Sequence, residues 1–412
     1  MPRSIRPAGV TRDARVKGRA ARDGRLGTGG WGRLGLSETL VVENWVKFYT
    51  RVVLRLTFPD DHLMSLSDRT VAVSASAPPL FRPPYFLGVD VGGTGIKLGL
   101  VDDQGRVLQS GSIETREAEG PVAAMRRVAG ALERFESELG IDRQDLAAIG
   151  LGAPGPMEIR TGMLVAPPQL PSWSDFNLRD CLAGLIGKPV AFINDANAAA
   201  FGEYWLGGGE ASDSMVLLTL GTGVGGGIVI EGQMVHGTNS FGGEFGHLVV
   251  DSAPDARLCV WGGGRGQLEA YASASAVARR AKERVGAGGG GWLRQIDGEI
   301  TALDVHHAAL ADDPLALEII DEAAKWLGVG VTTIVHVLDP GLVVIGGAMT
   351  FGGQDCRIGQ RFLEGISREF RQRTFDNVFS GTRIGFALLG SDAGYLGAAG
   401  YARDRLAAGG LG

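Results

Sequence analysis

Carboxylates, one ammonium and two glycine-threonine turns are the groups in this sequence that could handle a phosphoryl group. In Phe86–Val101, FLGVDVGGTGIKLGLV, an apolar run ends in Asp90, turns on Gly92-Gly93-Thr94 and returns through Ile96 to Val101. Glycines leave backbone N–H groups open to close approach by an anion. Lys97 follows the turn, so amides and ammonium would face phosphate while Asp90 holds Mg²⁺ directly or through water. A plain hairpin turn is the competing reading of this stretch taken alone. Met215–Ile230, MVLLTLGTGVGGGIVI, repeats the grammar: apolar strand, Gly221-Thr222-Gly223, apolar strand. Two such hairpins suggest an internal duplication in which each half contributes one phosphate-facing turn. Gly221, Gly223 and Gly226 also match G-x-G-x-x-G, but Gly227–Ile230 continues as a strand where the dinucleotide fingerprint needs a helix.

Other polar residues stand where strands end. Val190–Ile193 reads as a strand that stops at Asn194-Asp195, and an alanine-rich helix, Ala196–Trp205, follows. Asp195 is then at the carboxyl end of a strand and at a helix N-terminus, fit to be a base or simply the helix cap. FGGEFGHLVV at Phe241–Val250 sets Glu244 and His247 three apart among glycines. CVWGGGRGQLE at Cys259–Glu269 opens a helix that runs to about Arg284. Glu244 could equally be a turn carboxylate and Glu269 a first-turn helix charge. His236, His306, His307 and His336 read as structural.

The elements that must position these groups alternate between strand and helix. Arg106–Thr115 reads as a strand, and Pro121–Leu139 as a helix with Val122, Met125, Val128, Leu132 and Phe135 on one face and Gly140 as its stop. Strand Leu146–Leu151 leads into the rigid turn Gly152-Ala153-Pro154-Gly155-Pro156. Helices at Thr301–Leu310 and Asp313–Val337 precede strand Leu342–Ile345, which ends in Gly346-Gly347. Helix Gly359–Arg371, strand Ile384–Leu388 and helix Ala393–Leu406 complete the chain. Such alternation predicts largely parallel sheets, with ligands at the carboxyl ends of strands.

Composition narrows the function classes. At 412 residues the chain can form two domains with substantial cores. A net charge of −6 argues against a nucleic-acid partner. Cys181, Cys259 and Cys356 lie far apart without a disulfide framework, as in a reducing cytoplasm, and no apolar run is long enough to predict a membrane span. Residues 1–85 differ from the rest. Met1–Leu34 carries nine Arg/Lys against two Asp and is expected to be disordered, and Met64 is a plausible alternative start. A basic tail, a transit peptide and a DNA-binding module are the functional readings of that extension. No helix-turn-helix pattern and no secretory signal are evident in it.

Taken together the motifs resemble the ROK family (repressors, open reading frames and sugar kinases), of the α/β, two-lobed actin/hexokinase-like (ribonuclease H-like) ATPase fold with an inter-lobe cleft. The resemblance covers about Phe86 to Leu406. It rests on DVGGTGIK at Asp90–Lys97, GAPGP at Gly152–Pro156, NDANAAAFGE at Asn194–Glu203, LGTGVGGGIV at Leu220–Val229, GGEFGH at Gly242–His247 and VIGGAM at Val344–Met349, in family order and spacing. Within the family the sequence is most similar to bacterial glucokinases. The resemblance implies a small lobe of residues 86–201 plus 393–412 and a large lobe of residues 202–392. It assigns Asp90, Gly92, Gly93, Thr94 and Lys97 to ATP phosphates and Mg²⁺, Gly221, Thr222 and Gly223 to a second phosphate clamp, and Gly346 and Gly347 to the wall beside adenosine. Asn194 would bind a sugar hydroxyl, Asp195 would be the base at the accepting hydroxyl, and Glu244, His247 and Glu269 would bind further hydroxyls.

Two departures from the family pattern carry consequences. Many members hold a structural zinc with a histidine at the His247 position and three cysteines nearby. Here Cys259 remains while Trp261 and Gln267 occupy the other places, and one thiolate with one imidazole cannot close a tetrahedral site. No tight structural zinc is therefore expected. Gln169 stands before Leu170-Pro171-Ser172-Trp173 where the family often has asparagine, which bears on sugar recognition. The resemblance implies an ATP-dependent kinase acting on the C6 hydroxyl of a hexose, glucose first, in the cytoplasm, as a homodimer or homotetramer without nucleic-acid or membrane partners. Alternatives are a kinase for N-acetylmannosamine, mannose or fructose, a polyphosphate donor, and a sugar-responsive repressor.

Overall fold

The computed structural model describes residues 81–259 and 264–411; the expectations for residues 1–80 lie outside them. The first glycine-threonine turn joins β1 (Tyr85–Val91) to β2 (Gly95–Asp102) as an antiparallel hairpin in which Asp90 pairs with Lys97. β3 (Val107–Glu114) adds to the outer edge of β2. Helix α1 (Pro121–Leu139) buries Met125, Val128, Leu132 and Phe135 and stops at Gly140, whose φ of 64° suits glycine best. Val122, expected on the same face, is exposed. β4 (Leu146–Ala153) runs parallel to β1. Three short strands, β5 (Met157–Glu158), β6 (Met163–Leu164) and β7 (Phe176–Asn177), form a small side sheet. Helix α2 (Leu178–Ile186) then leads to β8 (Val190–Asn194), which pairs parallel with β4 and gives the order β3-β2-β1-β4-β8.

Helix α3 (Asp195–Leu206) leads into a second sheet begun by β9 (Met215–Leu220), β10 (Val224–Ile230) and β11 (Gln233–Met234). Helices α4 (Glu269–Ala272), α5 (Ala274–Gly286), α6 (Ala302–Leu310) and α7 (Pro314–Leu338) precede β12 (Leu342–Gly346). After α8 (Arg357–Arg373) and α9 (Asp376–Gly381), β13 (Arg383–Phe386) completes the order β11-β10-β9-β12-β13. Each sheet is thus an antiparallel hairpin with an antiparallel strand outside and two parallel strands on the other flank. That repeat of topology is what an internal duplication would leave.

One expected element breaks in two. The helix read from Cys259–Glu269 to about Arg284 stops at Ser273, which is extended (φ −86°, ψ 164°) and caps α5 by accepting from the Ala276 N–H. The break pays off at once in geometry: the Ala274 N–H donates to the Gly221 carbonyl at 2.8 Å, tying α5 to the second turn.

Helix α10 (Ala393–Ala407) returns from the second sheet to lie on the first. Its backbone lies so close that glycine is required on both sides. A Cβ on Gly88 of β1 would sit 1.8 Å from the Tyr395 carbonyl oxygen, and one on Gly150 of β4 would sit 1.7 Å from that of Ala398. A Cβ on Gly397 of α10 would lie 1.7 Å from the Ala198 carbonyl oxygen of α3. Overpacking against backbone has no rotamer to escape into. Gly150→Ala is therefore expected to cost about 3 kcal/mol or more, read as a lower denaturant midpoint. Gly130→Ala, in the middle of α1 with nothing near the added Cβ, should instead be neutral or gain up to ~1 kcal/mol. Equal midpoints for the two variants would refute the close-approach argument.

Candidate active site

Asn194 and Asp195 divide the labour at the junction of β8 and α3. The helix cap is Asn194, whose Oδ1 accepts from the N–H groups of Ala196 at 3.0 Å and Asn197 at 3.3 Å. Asp195 is therefore not the cap but the first residue of the helix, and its Oδ1 accepts from the Ala196 N–H at 2.8 Å. Its carboxyl is pushed up to about 7, first by burial and then by the charge of Asp90, with Glu244 adding to the rise. The Ala196 N–H and the Asn194 side chain oppose the shift. Asp90 is itself pushed up to about 6 by burial, against the pull of Lys97. Two carboxyls raised by burial, Asp195 further by the charge of Asp90, with a lysine paired across the hairpin, form a site poised for proton transfer.

Glycines bring these groups together from both sheets. Along β10, Gly225 and Gly227 face α3, where added Cβ atoms would meet Ala196 at 3.5 Å and Ala200 at 2.5 Å. Gly226 faces the other way, and a Cβ there would lie 2.3 Å from the Phe245 ring. Alternation along one strand thus seats the helix that starts at Asp195 on one side and the loop that carries Glu244 on the other. The Gly92 turn is closed by its N–H to the Gly95 carbonyl at 2.9 Å and by Thr115 Oγ1 donating to the Gly92 carbonyl at 2.6 Å. Gln169 lies against Gly93, beside this first turn. In the second turn the Gly221 N–H bonds the Gly223 carbonyl at 2.9 Å. Gly346 pairs with Thr219, and Gly347 (φ +88°) packs on the backbone of Leu220, so the Gly346-Gly347 pair borders the second turn.

The remaining residues separate into exposed and buried. Glu244 and His247 are exposed on the loop around Phe245. Glu269 is buried, and its oxygens are engaged by protein: Oε2 accepts from the Val224 N–H at 3.0 Å and Oε1 from the Cys259 thiol at 3.1 Å. Among the described residues no group of three or more His, Cys, Asp and Glu side chains could hold a metal; Trp261 lies outside them. Two positioning contacts were not read from the sequence. Lys97 Nζ donates to the Ser391 carbonyl at 2.7 Å, just before α10. Buried Glu203 accepts from the N–H groups of Leu388 at 2.9 Å and Leu389 at 2.8 Å, anchoring that same connector to α3. Their sequence separation leaves no local signal to find them by.

Raised carboxyl pKa values carry a stability cost with a defined sign. Protonated Asp90 and Asp195 favour the fold, so their contribution is fully present below the unfolded value near ~3.9. It is lost as pH rises through about 6 and about 7. Asp195→Asn removes the larger of these losses. The variant should gain thermal stability over the unaltered chain at about pH 8 and show a smaller difference near about pH 4.5 by scanning calorimetry. No gain at the higher pH would contradict the buried charge.

Comparison with known proteins fits this geometry. The sequence model of the ROK family matches residues 86–405. A glucokinase of Halalkalibacterium halodurans is 37% identical over 316 residues, covering 76% of this chain and 93% of that protein. The crystal structure of a ROK hexokinase from Thermus thermophilus aligns with a TM-score of 0.66 at 32% identity, covering 79% of this chain and 99% of that one. A ROK family glucokinase from Streptomyces griseus, solved in complex with glucose and AMPPNP, aligns with a TM-score of 0.59 at 32% identity over 78% of this chain and 99% of its own. With the duplicated α/β sheets and the matched turns, these place the fold among the actin/hexokinase-like ATPases, and the chain belongs to the ROK family.

Proposed function

We propose that this protein phosphorylates the C6 hydroxyl of glucose with ATP, and the observation that carries the reading is Asp195 at the start of α3, its half-buried carboxyl raised to about 7 by desolvation and by the charge of Asp90. A base titrating near neutral pH can accept a hydroxyl proton and is still deprotonated often enough to act. The C6 hydroxyl proton passes to Asp195 as its oxygen attacks the γ-phosphorus in line, and the bond to the β-phosphate oxygen breaks to release ADP. Lys97 and the N–H groups of the two glycine-threonine turns offset charge on the phosphoryl oxygens. Asp90 would hold the Mg²⁺ that comes with ATP, directly or through water, and the ion would offset phosphate charge and the repulsion between Asp90 and Asp195. Asn194, Glu244 and His247 are the hydroxyl partners in this reading. Glu269, already engaged by Val224 and Cys259, serves it best by fixing the loop behind the sugar. Gly346 and Gly347 border the nucleotide base.

The glucokinase relatives support glucose over N-acetylmannosamine, mannose or fructose, and ATP over polyphosphate. No described helix is long and apolar enough to cross a membrane. A cytoplasmic homodimer or homotetramer, with a small lobe of residues 86–201 and 393–412 around the first sheet, completes the proposal.

A coupled assay across hexoses and phosphate donors tests the reaction directly: glucose with ATP should give the highest kcat/KM, and excess EDTA should abolish it. Asp195→Asn should lower kcat by about 10³-fold with glucose binding retained within a few-fold. On the acid side kcat/KM should fall with a midpoint near about 7, and Asp90→Asn should move Asp195's midpoint down by removing a neighbouring charge. Near-normal turnover in Asp195→Asn would end the assignment of the base.

A further inference from the structure

At the end of β8 opposite Asp195 lies a half-open cavity of about 500 Å³. The first residues of β8, the C-terminal end of α10 and the loop around His236 and Ser240 form its walls. Its polar lining is Arg160, Arg179, Arg405, His236, Ser240 and Tyr401, and every other lining residue is apolar or glycine. Among the described residues no carboxylate lines it.

The charges in this wall are poorly compensated. Arg160 and Arg405 make no ion pair among the described residues, while Arg179 pairs with Asp180 at 2.7 Å. Arg405 gives one N–H to the Gly410 carbonyl at 3.3 Å, which leaves most of its donors uncommitted. His236 Nε2 meets the Tyr401 hydroxyl at 2.9 Å, and its Nδ1 is buried with no partner. Burial, then the nearby charge of Arg405, pushes the imidazole down to about 4, so it is neutral at physiological pH. With Nε2 committed to the Tyr401 hydroxyl, Nδ1 is left as an unused polar atom. Guanidinium groups match phosphate oxygens with paired N–H donors, and apolar wall beside them suits a carbon skeleton. The volume falls within the range of ~300–1,000 Å³ usual for small-molecule sites.

We propose that this cavity binds one small organic phosphate per chain, a phosphomonoester on a short sugar or polyol body, held by Arg160, Arg405 and His236. Loops that follow strands of different sheets meet across it: the Ile159 N–H, after β5, donates to Ser240 Oγ, after β11, at 3.2 Å. The assignment does not depend on the reaction proposed above.

Isothermal titration of the full chain with ribose 5-phosphate, and separately with inorganic phosphate, tests it. Ribose 5-phosphate should bind saturably at one site and at least tenfold more tightly than inorganic phosphate. Binding should weaken at least tenfold in Arg160→Gln/Arg405→Gln, two exposed positions whose replacement should leave the melting temperature near that of the unaltered chain. Arg160→Gln and Arg405→Gln singly give the same comparison should the pair fail to fold. Lys97→Ala should leave the affinity unchanged. Absence of saturable binding, equal affinity for both phosphates, or loss in Lys97→Ala with retention in the arginine variants would overturn the proposal. The last result would place the phosphate in the hairpin turns instead.

Discussion

Backbone pressed against backbone through glycine is the constraint on which this structure depends. Helix α10 lies on β1 and β4 at a distance that admits no Cβ at Gly88 or Gly150, and it meets α3 where none is admitted at Gly397. A Cβ on Gly394 of α10 would lie 2.3 Å from Asp90 Oδ2, so the same helix forms one wall around that carboxyl. β10 does the equivalent for α3 through Gly225 and Gly227. Close seating of both helices is what limits the access of water to Asp90 and Asp195. Their raised pKa values follow from that exclusion more than from any single neighbour.

The electrostatics and the connectivity reinforce each other. Lys97 is held by the Ser391 carbonyl, and the chain just before Ser391 is anchored by both oxygens of Glu203 on α3. The connector between the second sheet and α10 therefore touches the phosphate-side lysine and the helix of the proposed base at once. A shift of one sheet relative to the other would be felt at both, which gives a physical route for lobe movement to act on the chemistry. The second cavity lies at the far end of β8, and the loop that lines it through His236 and Ser240 continues to Glu244.

Buried Glu269 illustrates how a departure from a family pattern is absorbed. With Trp261 and Gln267 in place of two cysteines, Cys259 is left to donate to Glu269, while the same carboxylate caps the Val224 N–H of β10. Hydrogen bonding to a buried carboxylate fastens this segment to β10. Arg257, paired with Glu283 at 2.6 Å, adds a tie between the same segment and α5.

Much of this protein was legible in its residues alone. The two Gly-Thr hairpins, helix Pro121–Leu139, the strand ending at Asn194 and the closing helix at Ala393 all appear where apolar periodicity and glycine stops put them. These are local signals, carried by neighbours in sequence. The cap of α3 was less legible, because Asn194 and Asp195 are both able caps and only the fold assigned the role to Asn194 and left Asp195 facing Asp90. Likewise the helix expected through Arg284 breaks at Ser273 because the Gly221 carbonyl, far away in sequence, needs the Ala274 N–H. Local chemistry thus determined which segments became strands, helices and glycine-threonine turns. The tertiary structure alone decided which carboxyls lost water, which glycines bore helices and where Lys97 was held, since those depend on contacts between segments that the sequence keeps hundreds of residues apart.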